Sequence, residues 1–134
     1  MKNILFYSWL ILLAACSHPS AIKKQLSGSD SLVINFNEPG SNLIQKTVNT
    51  TERNAIKQLI SFVDGKSGTA YKCGYDGNLM FYKQGELAGD VVSNYSGDSC
   101  RHFLLELDGK LSPTVMSNKA ADILKILASG RGWY

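Results

Sequence analysis

Histidine is scarce in this sequence, and its scarcity excludes most of the usual catalytic arrangements. The chain has 134 residues but only two histidines, His18 and His102. It contains no Gly-x-Ser-x-Gly nucleophile motif, no His-Glu-x-x-His zinc motif and no phosphate-binding glycine loop. His102 is the one candidate general base, although its place in an alternating strand favours a structural role. We predict a protein that is not an enzyme, with no catalytic residues, no metal site and no cofactor.

Clustered charge of one sign is also missing. The 14 basic and 11 acidic side chains are interspersed, and Lys23-Lys24 is the only adjacent basic pair. Proteins that bind nucleic acids carry clustered basic residues on one face. The charge pattern therefore predicts no nucleic-acid partner.

Carboxylates offer a second route to acid–base chemistry. Asp90, Asp98, Glu106 and Asp108 fall in the strand-rich part of the chain, and two of them could meet across neighbouring strands. Acid–base work by such a pair requires that one carboxylate is desolvated against the other. Asp98 and Asp108 already fit turn positions, so the pattern does not favour a glycosidase-like pair.

The chain has one long apolar run, and it lies at the N-terminus. Residues 4–13 are mostly apolar, follow the basic residue Lys2 and lead into Leu13-Ala14-Ala15-Cys16. A membrane-spanning helix needs about 20 apolar residues, and Pro19 would break a continuing helix. A basic start, a short apolar segment and small residues before a cleavage point are typical of a secretory signal peptide.

The segment Leu13-Ala14-Ala15-Cys16 resembles the lipobox of bacterial lipoproteins. In that family the cysteine carries palmitate or related acyl chains and becomes the first residue of the mature protein. The resemblance implies that residues 1–15 are removed and that Cys16 anchors the chain to a membrane of the bacterial cell envelope. Serine rather than aspartate at position 17 favours the outer membrane over the inner one. An ordinary signal peptide with a chance cysteine is the alternative.

With Cys16 assigned to the anchor, Cys73 and Cys100 are the remaining cysteines. Two cysteines in an oxidising compartment usually pair, and we predict a disulfide between them. Closing a loop of this length stabilises the fold by about 3–4 kcal/mol in the chain-entropy model. A metal site with His102 is the alternative, but it requires reduced thiolates and a fourth ligand.

Residues 16–31 are serine-rich, and we predict a flexible tether there, with a short helix over 22–26 as the alternative. Residues 32–134 are predicted to form a single globular domain. Leu32, Ile34 and Phe36 alternate as in a half-buried strand. The predicted strands cover residues 32–36, 43–48, 69–73, 79–83, 87–95, 101–107 and 110–116. Pro113 places the last strand at an edge or interrupts it.

Two amphipathic helices complete the pattern. The first is capped by Thr50 or Thr51 and ends at Asp64-Gly65, and the second is capped by Ser117 and ends before Gly130. Hairpin turns are predicted at Asp76-Gly77, Gln84-Gly85 and Asp108-Gly109. The order ββαβββββα predicts an α+β fold, an antiparallel meander of five to seven strands with two helices on one face. An open barrel around the first helix is the alternative.

The region around the predicted disulfide is rich in tyrosine and arginine. Tyr75, Tyr95, Arg101 and His102 are the candidate partner-binding residues, and Tyr71 and Tyr82 lie nearby in sequence. Tyrosine and arginine are enriched in recognition hot spots, although tyrosine also simply suits strands. We interpret the domain as a non-enzymatic binding or scaffold module, held at a membrane by its lipid and available to another envelope protein.

The alternative function is inhibition of an envelope-targeting hydrolase such as lysozyme. Size, anchor, cysteine pair and strand-rich composition are similar to those of the lipoprotein inhibitors of c-type lysozyme, and Tyr71-Lys72-Cys73 is similar to their Tyr-x-Cys segment. The inhibitory loop of that family places serine and glycine ahead of a tyrosine, whereas Ser96-Gly97 follows Tyr95 here. Residues 95–99 are the candidate inhibitory loop.

We predict that the protein isolated from bacterial membranes begins at an acylated Cys16. Its intact mass should lack residues 1–15, include the added acyl chains and show no free thiol at Cys73 or Cys100. The variant Cys16→Ser should lose the acyl mass, whereas Ser17→Ala should keep it. A native species that still begins at Met1 contradicts the prediction.

Overall fold

The computed structural model of the chain describes residues 20–69 and 72–132. Three helices and six strands are defined within those ranges. In chain order they are α1 (Ala21–Leu26), β1 (Ser31–Asn37), β2 (Ile44–Thr50), α2 (Arg53–Val63), β3 (Gly77–Lys83), β4 (Glu86–Asn94), β5 (His102–Leu107), β6 (Lys110–Val115) and α3 (Asn118–Ala128). The predicted signal peptide and Cys16 lie outside the described residues. None of the helices in these ranges is long and apolar enough to cross a bilayer.

The six strands form one antiparallel sheet with the order β2-β1-β3-β4-β5-β6. This confirms the predicted α+β class and the predicted size of the sheet. The strands from β3 to β6 form the predicted meander, while α2 connects β2 to β3 across the sheet. The edges are β2 and β6, so the sheet does not close into a barrel, and Pro113 lies on an edge strand as its missing N–H predicts.

Two of the predicted hairpin turns have the expected geometry. Gln84 and Gly85 have φ values of 50° and 81°, and Asp108 and Gly109 have values of 50° and 77°. Positive φ at both central residues is characteristic of the type I′ turn, whose twist matches that of the flanking strands. These turns set the registers of β3 with β4 and of β5 with β6.

The strand predicted over residues 69–73 is wrong, and so is the hairpin turn at Asp76-Gly77. The described part of 69–73 forms no strand, and Gly77 opens β3. A Cβ atom at position 77 would collide with the backbone carbonyl oxygen of Asn35 on β1. Glycine is therefore needed for the close approach of two backbones rather than for a turn. The sheet has six strands instead of the seven in the predicted order.

The caps of the two longer helices agree only in part with the sequence pattern. Ser117 caps α3 as predicted. The cap of α2 is Glu52 rather than Thr50 or Thr51, because the Glu52 carboxylate accepts a hydrogen bond from the Ala55 N–H at 2.6 Å. The Thr50 hydroxyl oxygen accepts a hydrogen bond from the Glu52 N–H at 3.0 Å, which helps to hold the capping residue in position.

The core lies between one face of the sheet and the three helices. Leu32, Ile34 and Phe36 of β1 are buried there and alternate with residues on the other face. Other buried members are Leu79 and Phe81 of β3, Val91 of β4, Phe103 and Leu105 of β5, Ile56, Leu59 and Val63 of α2, and Leu124 and Leu127 of α3. Burying one such side chain stabilises the fold by about 1.5–3 kcal/mol. The prediction that both longer helices cover one face is confirmed.

Helix α1 differs from the expected flexible tether. Ile22 is 7% exposed and Leu26 is fully buried, so this segment belongs to the core. Leu26 fits because Gly89 on β4 has no side chain: a Cβ atom there would lie 2.6 Å from a Leu26 methyl group. Ser20 caps α1 by accepting the Lys23 N–H at 3.0 Å. The folded domain therefore includes residues 20–31, and the expectation of a tether over 16–31 needs correction for that part.

Because Leu26 is fully buried, we predict that truncating its side chain lowers the stability of the fold. Leu26→Ala should reduce the free energy of unfolding by about 2–5 kcal/mol, because it leaves a cavity between α1 and β4. Chemical denaturation measures the change, and Lys24→Ala, on the exposed side of the same helix, is the matched control with an expected change within about 0.5 kcal/mol. Equal stability of the two variants would show that α1 is not docked.

Candidate functional site

The second face of the sheet carries no helix among the described residues. Side chains there alternate with those of the core, and we call this surface the open face. It comprises Val33, Asn35, Thr47, Asn78, Met80, Tyr82, Leu87, Asp90, Val92, Leu104, Glu106, Leu111 and Pro113. Large exposed apolar side chains that cluster on one surface of a protein mark an interaction site. Of the large apolar side chains exposed among the described residues, Leu111 (65% exposed) and Leu87 (51% exposed) lie on this face, whereas Leu43 and Ile44 lie at the hairpin between β1 and β2.

A line of hydrogen-bonded polar side chains crosses the open face from β2 to β4. The Thr47 hydroxyl donates to Asn35 Oδ1 at 2.8 Å, and Asn35 Nδ2 donates to Asn78 Oδ1 at 3.1 Å. Asn78 Nδ2 in turn donates to Asp90 Oδ1 at 2.7 Å. Each bond joins residues on adjacent strands, so the ladder satisfies the buried amide of Asn35 and fixes the orientation of the Asp90 carboxylate.

A cleft opens on the same face where β4 and β5 separate. The two strands pair at only three positions, from Val92 with Leu104 to Asn94 with His102. Beyond these pairs they diverge and leave a depression of about 300 Å³. Asp90, Val92, Leu104, Glu106 and Leu111 line it from the open face, and Gln25 of α1, Gly89 and Leu105 line it from the helical side. We call this depression the open-face cleft.

The chemistry of the open-face cleft is mixed. Val92 and Leu104 give it apolar walls, while the exposed carboxylates of Asp90 and Glu106 border it. Two of the four carboxylates that the sequence singled out therefore share one site. They are solvated rather than desolvated against each other, so the arrangement suits the binding of a cationic group better than proton transfer.

The predicted disulfide between Cys73 and Cys100 is confirmed, with the two Cα atoms 6.2 Å apart. It holds the segment that joins α2 to β3 over one end of the open face. Asn94 Nδ2 donates to the Gly74 carbonyl oxygen at 3.0 Å, which fixes the same segment to β4. Because the two sulfurs are bonded to each other, the alternative of a thiolate metal site is ruled out. Within the described ranges, no group of three metal-ligating side chains comes together.

His102 is fully buried beneath this segment. The ring of Tyr75 packs against it with a centroid separation of 5.7 Å, and His102 Nδ1–H donates to the Cys100 carbonyl oxygen at 2.6 Å. The imidazole thus supports the conformation around the disulfide. It is closed to a substrate in solution, which removes the candidate general base from the surface.

Tyr95 and Arg101 lie in the loop that joins β4 to β5, residues 95–101, and their contacts hold this loop in place. The Tyr95 ring contacts Phe36 edge-on at a centroid distance of 5.9 Å. Burial raises the pKa of the Tyr95 hydroxyl, and the negative charge of Asp76 raises it further. Arg101 Nε donates to the Tyr95 carbonyl oxygen at 3.3 Å, and its guanidinium pairs with Asp98 at 3.0 Å.

Asp76 is the residue on which this loop depends most directly. Its carboxylate accepts hydrogen bonds from the Tyr95 N–H at 2.8 Å, the Ser96 N–H at 2.9 Å and the Ser96 hydroxyl at 2.9 Å. These bonds connect the segment before β3 to the loop between β4 and β5. The pattern had suggested only a turn at this aspartate.

The four candidate partner-binding residues therefore form two pairs, Tyr75 with His102 and Tyr95 with Arg101. Both pairs lie near the disulfide, yet their contacts stabilise the fold and do not create a shared exposed surface. Tyr82 lies apart from them on the open face, with its hydroxyl 3.9 Å from Met80 Sδ, and Tyr71 is outside the described residues. Sequence reasoning missed the ladder and the cleft, because both depend on strand register.

The fold and this surface define an α+β protein with helices on one side of a sheet and an open face on the other. Comparisons of the chain with protein-family models, with curated proteins and with solved structures find no match.

The bonds of Asp76 give a prediction about the loop at residues 95–97. Asp76→Ala should lower the free energy of unfolding by about 2–3 kcal/mol, because it removes charge-assisted hydrogen bonds and leaves two backbone N–H groups without an acceptor. Amide hydrogen exchange at Tyr95 and Ser96 should accelerate. Ser96→Ala, which removes only one of the bonds, should have a smaller effect, and equal effects of the two variants would contradict this assignment.

Proposed function

We propose that this protein is a lipid-anchored component of the bacterial cell envelope that acts as a non-enzymatic binding or scaffold module. The lipobox-like segment ending at Cys16 supports the anchor, and Ser17 supports the outer membrane as its site. The observation that carries the binding role is the open face, where the exposed side chain of Leu111 and the carboxylates of Asp90 and Glu106 border a cleft with apolar walls.

The open face is suited to a protein partner because of how its apolar area is distributed. The large exposed apolar side chains Leu87 and Leu111 lie on it, together with the partly covered walls of the open-face cleft. Apolar area removed from water stabilises a complex by roughly 25 cal/mol per Å² before the costs of association. The ladder from Thr47 to Asp90 supplies a polar rim whose side chains are already oriented.

The charges of the open-face cleft indicate what the partner presents. Asp90 and Glu106 border walls formed by Val92 and Leu104. A lysine or arginine side chain combines an aliphatic stem with a charged end, which matches such walls and such a rim. We infer that the partner is an envelope protein whose docking segment carries basic and aliphatic residues. Charge pairing at the rim would contribute specificity and association rate more than affinity.

Site-specific crosslinking in intact cells tests this role. A photoactivatable residue in place of Leu111 should capture one protein of defined mass, whereas the same residue in place of Lys119 on α3 should not. The double variant Asp90→Asn with Glu106→Gln should reduce the yield severalfold, because the cleft loses its attraction for a basic side chain. The captured peptide should contain lysine or arginine beside aliphatic residues.

A matched control separates this effect from net charge. Glu38→Gln with Asp122→Asn removes the same charge from exposed positions away from the cleft and should leave the yield unchanged. Equal loss in the two double variants, or equal capture from Leu111 and Lys119, contradicts the proposed docking.

A second candidate function, inhibition of an envelope-targeting hydrolase, is favoured by the rigidity of the loop at 95–99. Asp76 and Arg101 hold this loop from two sides, while Ser96, Asp98 and Ser99 remain exposed. A preorganised loop loses little conformational entropy when it enters an active site. If this function holds, micromolar protein slows a lysozyme or peptidase from a panel, and Asp76→Ala weakens the inhibition. Unchanged hydrolysis rates for every enzyme of the panel would contradict the inhibitor function.

A further inference from the structure

A groove runs between α1 and α2 on the helical side of the protein, away from the open face. Its volume is about 770 Å³, within the range of natural ligand sites. Ile56 and Ile60 of α2 line it and are buried, which gives it an apolar floor. We call it the helix groove. Neither the fold nor the proposed docking on the open face requires such an opening.

The rim of the helix groove carries three cations. Lys23 of α1 and Arg53 and Lys57 of α2 line the groove, and all three are exposed. Within the described ranges their side chains enter no ion pair: the single salt bridge there joins Arg101 to Asp98. Asp30 and Asp64 line the same groove, so its three cations and two carboxylates give the lining a formal charge of +1, which favours an anionic ligand.

The two carboxylates that line the helix groove accept hydrogen bonds from neutral donors rather than pairing with the cations. Asp64 accepts a hydrogen bond from the Ser20 hydroxyl at 2.5 Å, and Asp30 accepts one from the Gln84 N–H at 3.0 Å. The Thr51 hydroxyl also lines the groove and adds a neutral hydrogen-bond donor, whereas the Ser61 hydroxyl donates to the Gln58 carbonyl oxygen at 2.6 Å. The combination of cations, a hydroxyl donor and an apolar floor matches a phosphate that is attached to an apolar or glycerol-like body.

The position of the helix groove along the chain indicates where such a phosphate comes from. Ser20 bonds to the rim residue Asp64 and follows Cys16 by four residues. Four residues span at most about 14 Å when fully extended. If Cys16 is acylated, the groove is held close to the bilayer surface, where electrostatic attraction extends over about 8–10 Å at physiological salt.

We propose that the helix groove binds the phosphate of an anionic phospholipid head group in the membrane that holds the anchor. Lys23, Arg53 and Lys57 contact the phosphate, and the apolar floor accommodates the adjoining glycerol region. This inference rests on the proposed anchoring at Cys16. Binding at the groove orients the domain with its helices toward the bilayer and its open face toward the partner.

Lipid capture by the full acylated protein tests the groove. A photoactivatable residue in place of Ser61 is introduced, and the protein is reconstituted into vesicles of phosphatidylcholine with or without phosphatidylglycerol. Mass spectrometry should find phosphatidylglycerol adducts. The triple variant Lys23→Gln, Arg53→Gln and Lys57→Gln should reduce their yield by at least about fivefold, the factor expected from one basic residue near an anionic surface.

The control variant Lys72→Gln, Lys110→Gln and Lys119→Gln removes the same charge from exposed positions outside the groove and should keep the yield. Thermal melting should show that both triple variants remain folded. Equal loss in the two variants, equal capture in vesicles without phosphatidylglycerol, or capture of an acidic protein segment in cells instead of lipid would overturn the proposal.

Fractionation of the same samples separates this inference from the anchor. An anchored protein whose Ser61 probe captures no lipid contradicts the groove proposal alone. A protein that leaves the vesicles entirely contradicts the anchoring on which the proposed function depends.

Discussion

One constraint shapes this protein: all three helices bury their apolar residues against the same face of one sheet. That face receives Leu32, Ile34 and Phe36 of β1 and the matching residues of its neighbours. The other face has no helix among the described residues, and several of its polar side chains bond to one another within the sheet. The Thr47–Asn35–Asn78–Asp90 ladder satisfies them on one half, and the disulfide-linked segment over His102 covers one end.

This one-sided packing produces two surfaces of opposite character. The open face has a cleft between β4 and β5 that Asp90 and Glu106 border. The helical side has a groove between α1 and α2 with Lys23, Arg53 and Lys57 on its rim. The two sites have different linings, although α1 contributes Gln25 to the cleft and Lys23 to the groove, so the proposed membrane and protein partners would not compete for the same residues.

Much of the fold follows from local pattern. Alternation at Leu32, Ile34 and Phe36, and glycine at the turns after Gln84 and Asp108, identified strands and hairpins because side-chain direction and positive φ are local properties. Two features could not be predicted from the sequence because tertiary contacts determine them. Gly77 serves a close backbone approach to Asn35, and α1 is held by Leu26 in the space left by Gly89. The candidate site could not be predicted from local pattern either, because the ladder and the cleft depend on the register of β1 to β5.

We propose that the open face is exposed in the isolated protein and covered by a partner in the cell envelope. Hydroxyl-radical footprinting of the purified protein and of intact cells tests it at Leu111, Val92 and Met80, with the exposed Leu43 in the turn between β1 and β2 as the internal reference. We expect labelling of the three open-face residues to fall severalfold in cells while that of Leu43 stays constant. Equal labelling of Leu111 in both samples would contradict it.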